Sequence, residues 1–386
     1  MSEKRKDNKG RLLQKGEAQR PNGSYMYRYT DTSGAKHWCY APTLQELREK
    51  EQAIKQDIQD GINYTAGEAN VLSLVERYIA QRQGVRENTR TGYNFVLNLL
   101  KKQEFSKRRI KDIKPSDARL FFIHLHENES YAYSTITTVR GVLKPAFEMA
   151  VEDNIIRRNP FLFPVSDVVQ NDTVNSIALT PEQKETYLNY LLEDKCRKRY
   201  YDEVMILLET GMRVSEMYGL TVSDIDLKAR RVRIERQIQR SGDGRRYIEK
   251  PKSKNSARTI PLSDKAYAAF KSALQNRKKP QAEPIVDGCV GFLFLDINDM
   301  PKVAMHLEHA LKRILDKYNE SHVIQLPAIT PHTFRHTFIT DMYSKGIDVK
   351  SLQDLVGHGD VQTTLGIYTH SNYERVEAEF LKAVSD

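Results

Sequence analysis

Apolar residues recur at helical spacing almost without a break from residue 70 to about residue 160, and this run constrains everything on either side of it. Val71, Leu74, Val75, Tyr78 and Ile79 form the first stripe; Thr89 to Leu100, Ser116 to Glu127 and Ser134 to Asn154 give three more. Asn154-Ile155-Ile156-Arg157-Arg158-Asn159-Pro160 closes the run, because proline cannot continue a helix and restricts the residue before it. Short amphipathic helices bury their stripes only against one another, so 70–162 is predicted to be an all-α domain. A chain of 386 residues leaves room for further domains on both sides.

On the N-terminal side the period changes to two. Ser24-Tyr25-Met26-Tyr27-Arg28-Tyr29-Thr30 alternates as a strand, Asp31-Thr32-Ser33-Gly34 turns, and Lys36 to Tyr40 returns. Thr43 caps a helix through Leu44, Leu47, Glu51 and Ile54 to about Asp60. Residues 1–20 are polar and fit a basic tail or a first edge strand. The stretch 1–65 is therefore a small sheet with one helix, and 61–69 reads as a linker.

On the C-terminal side, 161–178 contains Pro164, Asp167 and Asn171-Asp172 and is expected to be an extended connection. Thr180-Pro181-Glu182 starts a helix, and Tyr201 to Thr210 is a buried one. Arg230 to Arg240 alternates Val232, Ile234 and Ile238 with basic residues as one strand. Ser241-Gly242-Asp243-Gly244 turns it back along Arg245 to Lys250, and Ala257 to Leu262 is a third strand. Residues 176–386 thus form a mixed, mainly helical domain with a small antiparallel sheet. The fold class is α+β, multidomain.

The charge points to a polyanion. The chain carries 60 Lys and Arg against 51 Asp and Glu, a formal charge of +9. Residues 1–40 hold nine basic against four acidic residues, and residues 226–265 hold thirteen against five. Cys39, Cys196 and Cys289 are far apart and form no CxxC pair, so neither a zinc site nor a disulfide framework is indicated. No apolar run approaches the ~20 residues of a membrane span, and no apolar signal region opens the chain. A cytoplasmic location without a membrane partner is the expectation.

The densest chemistry lies in 331–370: Pro331-His332-Thr333-Phe334-Arg335-His336, then Leu355-Val356-Gly357-His358, then Tyr368-Thr369-His370. Gly346 and Gly357 have the look of helix ends, with Asp348 capping the next start. His332 and Arg335 sit one turn apart near a helix start and face the same way. Upstream, Thr210-Gly211-Met212-Arg213-Val214-Ser215-Glu216 places another arginine at a helix start. Two arginines, two histidines and a tyrosine, with no carboxylate cluster to hold a metal, suit a phosphodiester attacked by a tyrosine. Guanidinium forks match phosphate oxygens in pairs and keep their charge. A phenol ionises near 10, so its proton needs an acceptor, and imidazole titrates in the useful range.

This ordered set resembles the tyrosine recombinase (phage integrase) family, and more narrowly the integrases of conjugative transposons. Arg277-Lys278-Lys279-Pro280 through Gly291-Phe292-Leu293-Phe294-Leu295-Asp296, and Lys6-Asp7-Asn8-Lys9-Gly10-Arg11, carry the narrower likeness. The resemblance implies an arm-type DNA-binding domain at 1–65, a core-binding domain at 70–162 and a catalytic domain at 176–386. It implies cleavage and rejoining of DNA through a 3′-phosphotyrosyl link on Tyr368, with Arg213, Lys252, His332, Arg335 and His358 as the other catalytic residues. Lys252 is the expected proton donor to the leaving 5′-oxygen, and Lys254 competes with it as acid or phosphate contact. Where the usual member has leucine and isoleucine around the first arginine, this chain has Met212 and Val214. Arg28, Lys36, Lys107 and Arg108 are candidate DNA contacts.

The implied partners are double-stranded DNA at core and arm sites and further copies of the chain, a dimer on DNA and a tetramer in the synapse. A C-terminal helix over Glu374 to Val384 would join the copies, and a directionality factor is a further candidate partner. No cofactor and no metal are expected. A type IB topoisomerase-like enzyme shares the Arg, Lys, Arg, His, Tyr set and is the alternative, although a separate N-terminal domain would be superfluous to it. A DNA-binding regulator without activity, and a metal hydrolase built on His332, His336 and His358, fit less of the pattern.

Overall fold

The structure, a computed structural model, describes residues 5–31, 34–59, 61, 68–173, 177–250 and 257–357. It divides into two compact units, residues 1–174 and 175–386.

The first unit opens with an antiparallel sheet of β1 (Glu17–Gln19), β2 (Tyr25–Thr30) and β3 (Lys36–Ala41), in that order, with β2 central. The period of two sorts the side chains. Tyr25 and Tyr27 face α1 (Leu44–Gln59) and join Ala41, Leu44, Leu47 and Ile54 in a small core. Arg28 lies opposite Trp38, Met26 opposite Tyr40 and Thr30 opposite Lys36, all on the other face. Thr43 caps α1 by accepting a hydrogen bond from the Glu46 N–H at 3.2 Å.

A second core in this unit gathers α2 (Val71–Ala80), α3 (Glu87–Lys101), α4 (Pro115–Glu127) and α5 (Tyr133–Glu152), the helices expected from the stripes. The stretch after Pro160 departs from expectation. Phe161, Phe163, Val165 and Val169 are buried in this helical core, so 161–169 is packed chain and not an open connection. Its polar punctuation concealed four apolar anchors.

The second unit begins with α6 (Pro181–Leu192), α7 (Lys195–Lys198), α8 (Tyr201–Thr210) and the short α9 (Val214–Tyr218). A sheet of β4 (Ile225–Asp226), β5 (Arg231–Ile234) and β8 (Arg258–Pro261) follows, with β5 in the middle. Among the described residues, β6 (Gln237–Arg240) and β7 (Arg246–Glu249) pair only with each other. The single strand expected over Arg230 to Arg240 is thus two strands, broken at Glu235-Arg236. The Arg236 guanidinium turns inward there to pair with the buried carboxylate of Asp224, which Thr221 also holds. Then come α10 (Asp264–Gln275), α11 (Ala304–Ser321), α12 (Pro331–Ser344) and α13 (Val349–Val356). α8 is buried between α10 and α12, and α13 packs on α12 through Phe338, Ile339, Leu352 and Val356. No helix among the described residues is long and apolar enough to cross a membrane.

Candidate active site

α8 stops where Gly211 turns into the left-handed region at φ +60°. A side chain there would be strained, and its Cβ would stand 2.3 Å from the Phe338 ring. This tight turn delivers Arg213 to the start of α9. The Arg213 backbone N–H donates to Glu216 Oε2 at 2.9 Å, and its Nη1 donates to Oε1 at 2.9 Å. α9 is anchored behind the site: buried Tyr218 donates its hydroxyl hydrogen to the Glu203 carboxylate, which also accepts from Lys302 Nζ at 2.6 Å.

α12 starts at a Thr-Pro pair. Thr330 Oγ1 accepts from the Thr333 N–H at 3.3 Å, and Thr333 Oγ1 accepts from the Thr330 N–H at 3.0 Å, with Pro331 at the first helical position. His332 is exposed on this first turn, and Arg335, one turn in, is only 4% exposed. Partial withdrawal of the His332 ring from water, then the Arg335 and Arg213 charges, lower its pKa below the ordinary imidazole value. Burial, then the Arg213 charge, pull the Arg335 guanidinium down to about 9.

The anchor for these arginines is the end of α13. Asp348 caps its start by accepting from the Ser351 N–H at 2.9 Å, and Gly357 ends it at φ +65°. The last carbonyls of a helix lack partners within the helix and carry the negative end of its dipole. Here three successive ones are taken by three different guanidinium groups: Leu355 O by Arg258 Nε at 2.6 Å, Val356 O by Arg335 Nη2 at 2.6 Å, and Gly357 O by Arg213 Nη2 at 3.3 Å. Arg335 Nη1 also donates to Gly211 O at 2.6 Å, so it clamps the end of α8 to the end of α13. Two arginines far apart in sequence, Arg213 and Arg335, thereby meet directly before His358.

Sequence reasoning missed Arg258 as more than a strand residue and missed the full role of Glu216. A signal existed. Arg258 shares a strand face with Ile260, which is buried, and a cation on that face needs a buried partner. Of the other predicted residues, Lys252, Lys254, His358 and Tyr368 lie outside the described residues, as does the tail over Glu374 to Val384. Arg28 and Lys36 are exposed on the outer face of the N-terminal sheet. Lys107 pairs with Glu104 at 2.5 Å, and Arg108 pairs with Asp117 at 3.0 Å. His336 is half-buried on α12.

Residues 178–375 match the model of the phage integrase family, a span that covers this arginine cluster and the histidine and tyrosine beyond it. The chain belongs to the phage integrase family. The integrase also matches, over residues 1–58, the DNA binding domain of Tn916 integrase. It is 41% identical over 392 residues to the transposase from transposon Tn1545 of Streptococcus agalactiae serotype V, covering 98% of this chain and 96% of that one. The transposase from transposon Tn916 of Enterococcus faecalis is 40% identical with the same coverage. Among solved structures, the Tn1549 transposon integrase in complex with a circular intermediate DNA superposes with a TM-score of 0.76 at 36% identity, over 81% of this chain and 99% of that one. The chain is accordingly a tyrosine-type, site-specific DNA recombinase with the multidomain α+β fold of its relatives.

Proposed function

We propose that this integrase cuts and rejoins the ends of a transposon, with Tyr368 as nucleophile and Arg213, Arg335, His332, His358 and Lys252 around the scissile phosphate. The Tyr368 oxygen attacks phosphorus, the bond from phosphorus to the 5′-oxygen breaks, and a 3′-phosphotyrosyl link holds the strand. His332 takes the phenolic proton, and its lowered pKa keeps it in the neutral form that can accept one. Lys252 gives a proton to the leaving 5′-oxygen, with Lys254 the alternative donor. His358 hydrogen-bonds a phosphate oxygen. Arg213 and Arg335 stabilise the charge that grows on the non-bridging oxygens. The link conserves bond energy, so the reverse attack by a 5′-hydroxyl on a new partner strand completes recombination.

The observation that carries this reading is the convergence of Arg213 and Arg335 on the carbonyls of Gly357 and Val356. That arrangement puts two preset guanidinium groups at the turn from which His358 and Tyr368 follow. The match of residues 1–58 to a DNA binding domain favours a recombinase over a topoisomerase that works alone. In this reading residues 1–65 bind arm sites through the outer sheet face, while residues 70–162 and 176–386 hold the core site. Copies pair on DNA as dimers and tetramers through the C-terminal segment, and a directionality factor is the further partner the reading admits.

The test is a nicked suicide substrate that traps the covalent complex. Tyr368→Phe keeps DNA binding and loses the adduct; an adduct that persists moves the nucleophile elsewhere. Removal of residues 1–65 lowers arm-site affinity and leaves core-site cleavage; unchanged arm binding refutes that domain assignment.

A further inference from the structure

Arg258 is nearly enclosed, its side chain 6% exposed. Its Nη2 donates to Glu216 Oε2 at 2.9 Å and its Nη1 to Oε1 at 3.2 Å, while Nε holds Leu355 O. The same two carboxylate oxygens accept the Arg213 side chain and backbone. Burial works against the Glu216 charge, but hydrogen bonds and charge from Arg258, then Arg213, keep its carboxyl below the usual range. Gly357 accommodates this fork, since a Cβ there would stand 2.8 Å from Arg258 Nη1.

The charge balance follows from these contacts. Arg213 and Glu216 alone would form a closed pair, and a guanidinium neutralised by its own carboxylate has little field left for a phosphate. With Arg258 sharing the carboxylate, the three guanidinium groups and one carboxylate leave two net positive charges. A phosphodiester carries one negative charge, and its pentacoordinate state carries two.

We infer that Arg258 is a positioning residue for strand cleavage: it takes Glu216 as counter-ion so that Arg213 keeps both its orientation and its charge for the scissile phosphate. Arg258 stays behind the site and touches no substrate. The inference rests on the reading in which Arg213 meets that phosphate, and it adds a charge-balancing role for a strand residue.

The experiment measures single-turnover covalent-complex formation by the full chain on a nicked suicide substrate. Arg258→Gln should slow it by up to about 10²-fold, the loss expected when the transition-state donor it positions, Arg213, is weakened. The double variant Arg258→Gln with Glu216→Gln should recover at least about tenfold, because the unshared carboxylate is gone. Purely structural damage would instead accumulate in the double variant. A substrate with an uncharged methylphosphonate at the scissile position should shrink the Arg258→Gln penalty to a few-fold.

A double variant no faster than Arg258→Gln, or a single variant at the wild-type rate, overturns the inference. Should Arg258→Gln not fold, Arg258→Lys decides: with its charge kept, its loss should stay under about tenfold, and a loss as large as that of Arg213→Ala refutes charge sharing. Tyr368→Phe runs in parallel. An adduct that needs Tyr368 but ignores Arg258 sinks this inference alone, whereas an adduct that survives Tyr368→Phe strikes the tyrosine assignment and leaves the Arg258 dependence readable.

Discussion

Two regions of this integrase present cations, in opposite ways. On the sheet of residues 17–41, Arg28 and Lys36 stand exposed beside Trp38 and Tyr40, each about half exposed. In the second unit, Arg213, Arg258 and Arg335 are held by the carbonyls of Leu355, Val356 and Gly357 and by a buried glutamate. Exposed cations on long side chains supply affinity, which salt weakens and geometry hardly controls. Guanidinium groups fixed before substrate arrives supply transition-state stabilisation, since they need no reorganisation when charge develops. In the proposed reading one region holds DNA and the other reacts with it. Substitutions in the two should therefore fail in different assays.

The largest effect is expected at Arg213. Arg213→Lys keeps a positive charge but cannot hold Gly357 O, Glu216 and a phosphate oxygen together. Covalent-complex formation should fall by about 10²–10³, equivalent to roughly 2.7–4 kcal/mol, with DNA affinity changed far less. Wild-type cleavage would remove Arg213 from the site and erase the contrast.

Gly211→Ala comes next and is read as stability. The left-handed backbone and the 2.3 Å approach of a new Cβ to the Phe338 ring both oppose alanine. A loss of about 2–4 kcal/mol in denaturant unfolding is expected from strain and overpacking together. Because Gly211 O also receives Arg335, cleavage should drop along with the unfolding midpoint. A stable, active alanine variant would show that the turn can yield.

The third test uses pH. Partial withdrawal of the ring from water and two arginines lower the His332 pKa, so the neutral ring prevails at pH 7 and cleavage at low substrate should be flat there. The rate should decline only below the ordinary imidazole pKa of about 6.5. The same shift makes the unfolded chain bind the proton more readily. His332 therefore costs stability as pH falls through the unfolded value towards the folded one, and stability returns as pH rises. His332→Gln should lose both dependences. A wild-type rate still climbing above pH 7 would mean another group is the base.

Much of this contrast can be read from residue order, and the rest cannot, for definite reasons. Thr330-Pro331 and Asp348 announce their helix starts because capping depends on neighbours within a turn, and Gly211 and Gly357 announce stops for the same reason. The helical period over 71–152 exposes the four-helix core. For Arg258 the face shared with buried Ile260 signals a buried partner but not which one, because Glu216 and Leu355 lie 42 and 97 positions away. The break at Arg236 has a similar origin, since its partner Asp224 lies twelve positions away and the alternation continues through it unmarked. Lys107 and Arg108 show the converse case: their partners Glu104 and Asp117 lie only three and nine positions away.

The smallest effect should come from the sheet. Arg28 lies opposite Trp38 on the outer face, exposed and away from the tyrosine core beneath. Arg28→Ala should weaken binding to arm-site DNA by about 1 kcal/mol, near uniformly across sequences if it meets a phosphate, and lower the salt slope by about 1. If it reads a base edge, the loss should reach about 1–3 kcal/mol on the cognate sequence and nearly vanish on others. Covalent-complex formation on an isolated core site should be indifferent to either outcome. A cleavage defect in Arg28→Ala on that short substrate would break the division of labour, because a residue of the holding region would then be acting on the chemistry.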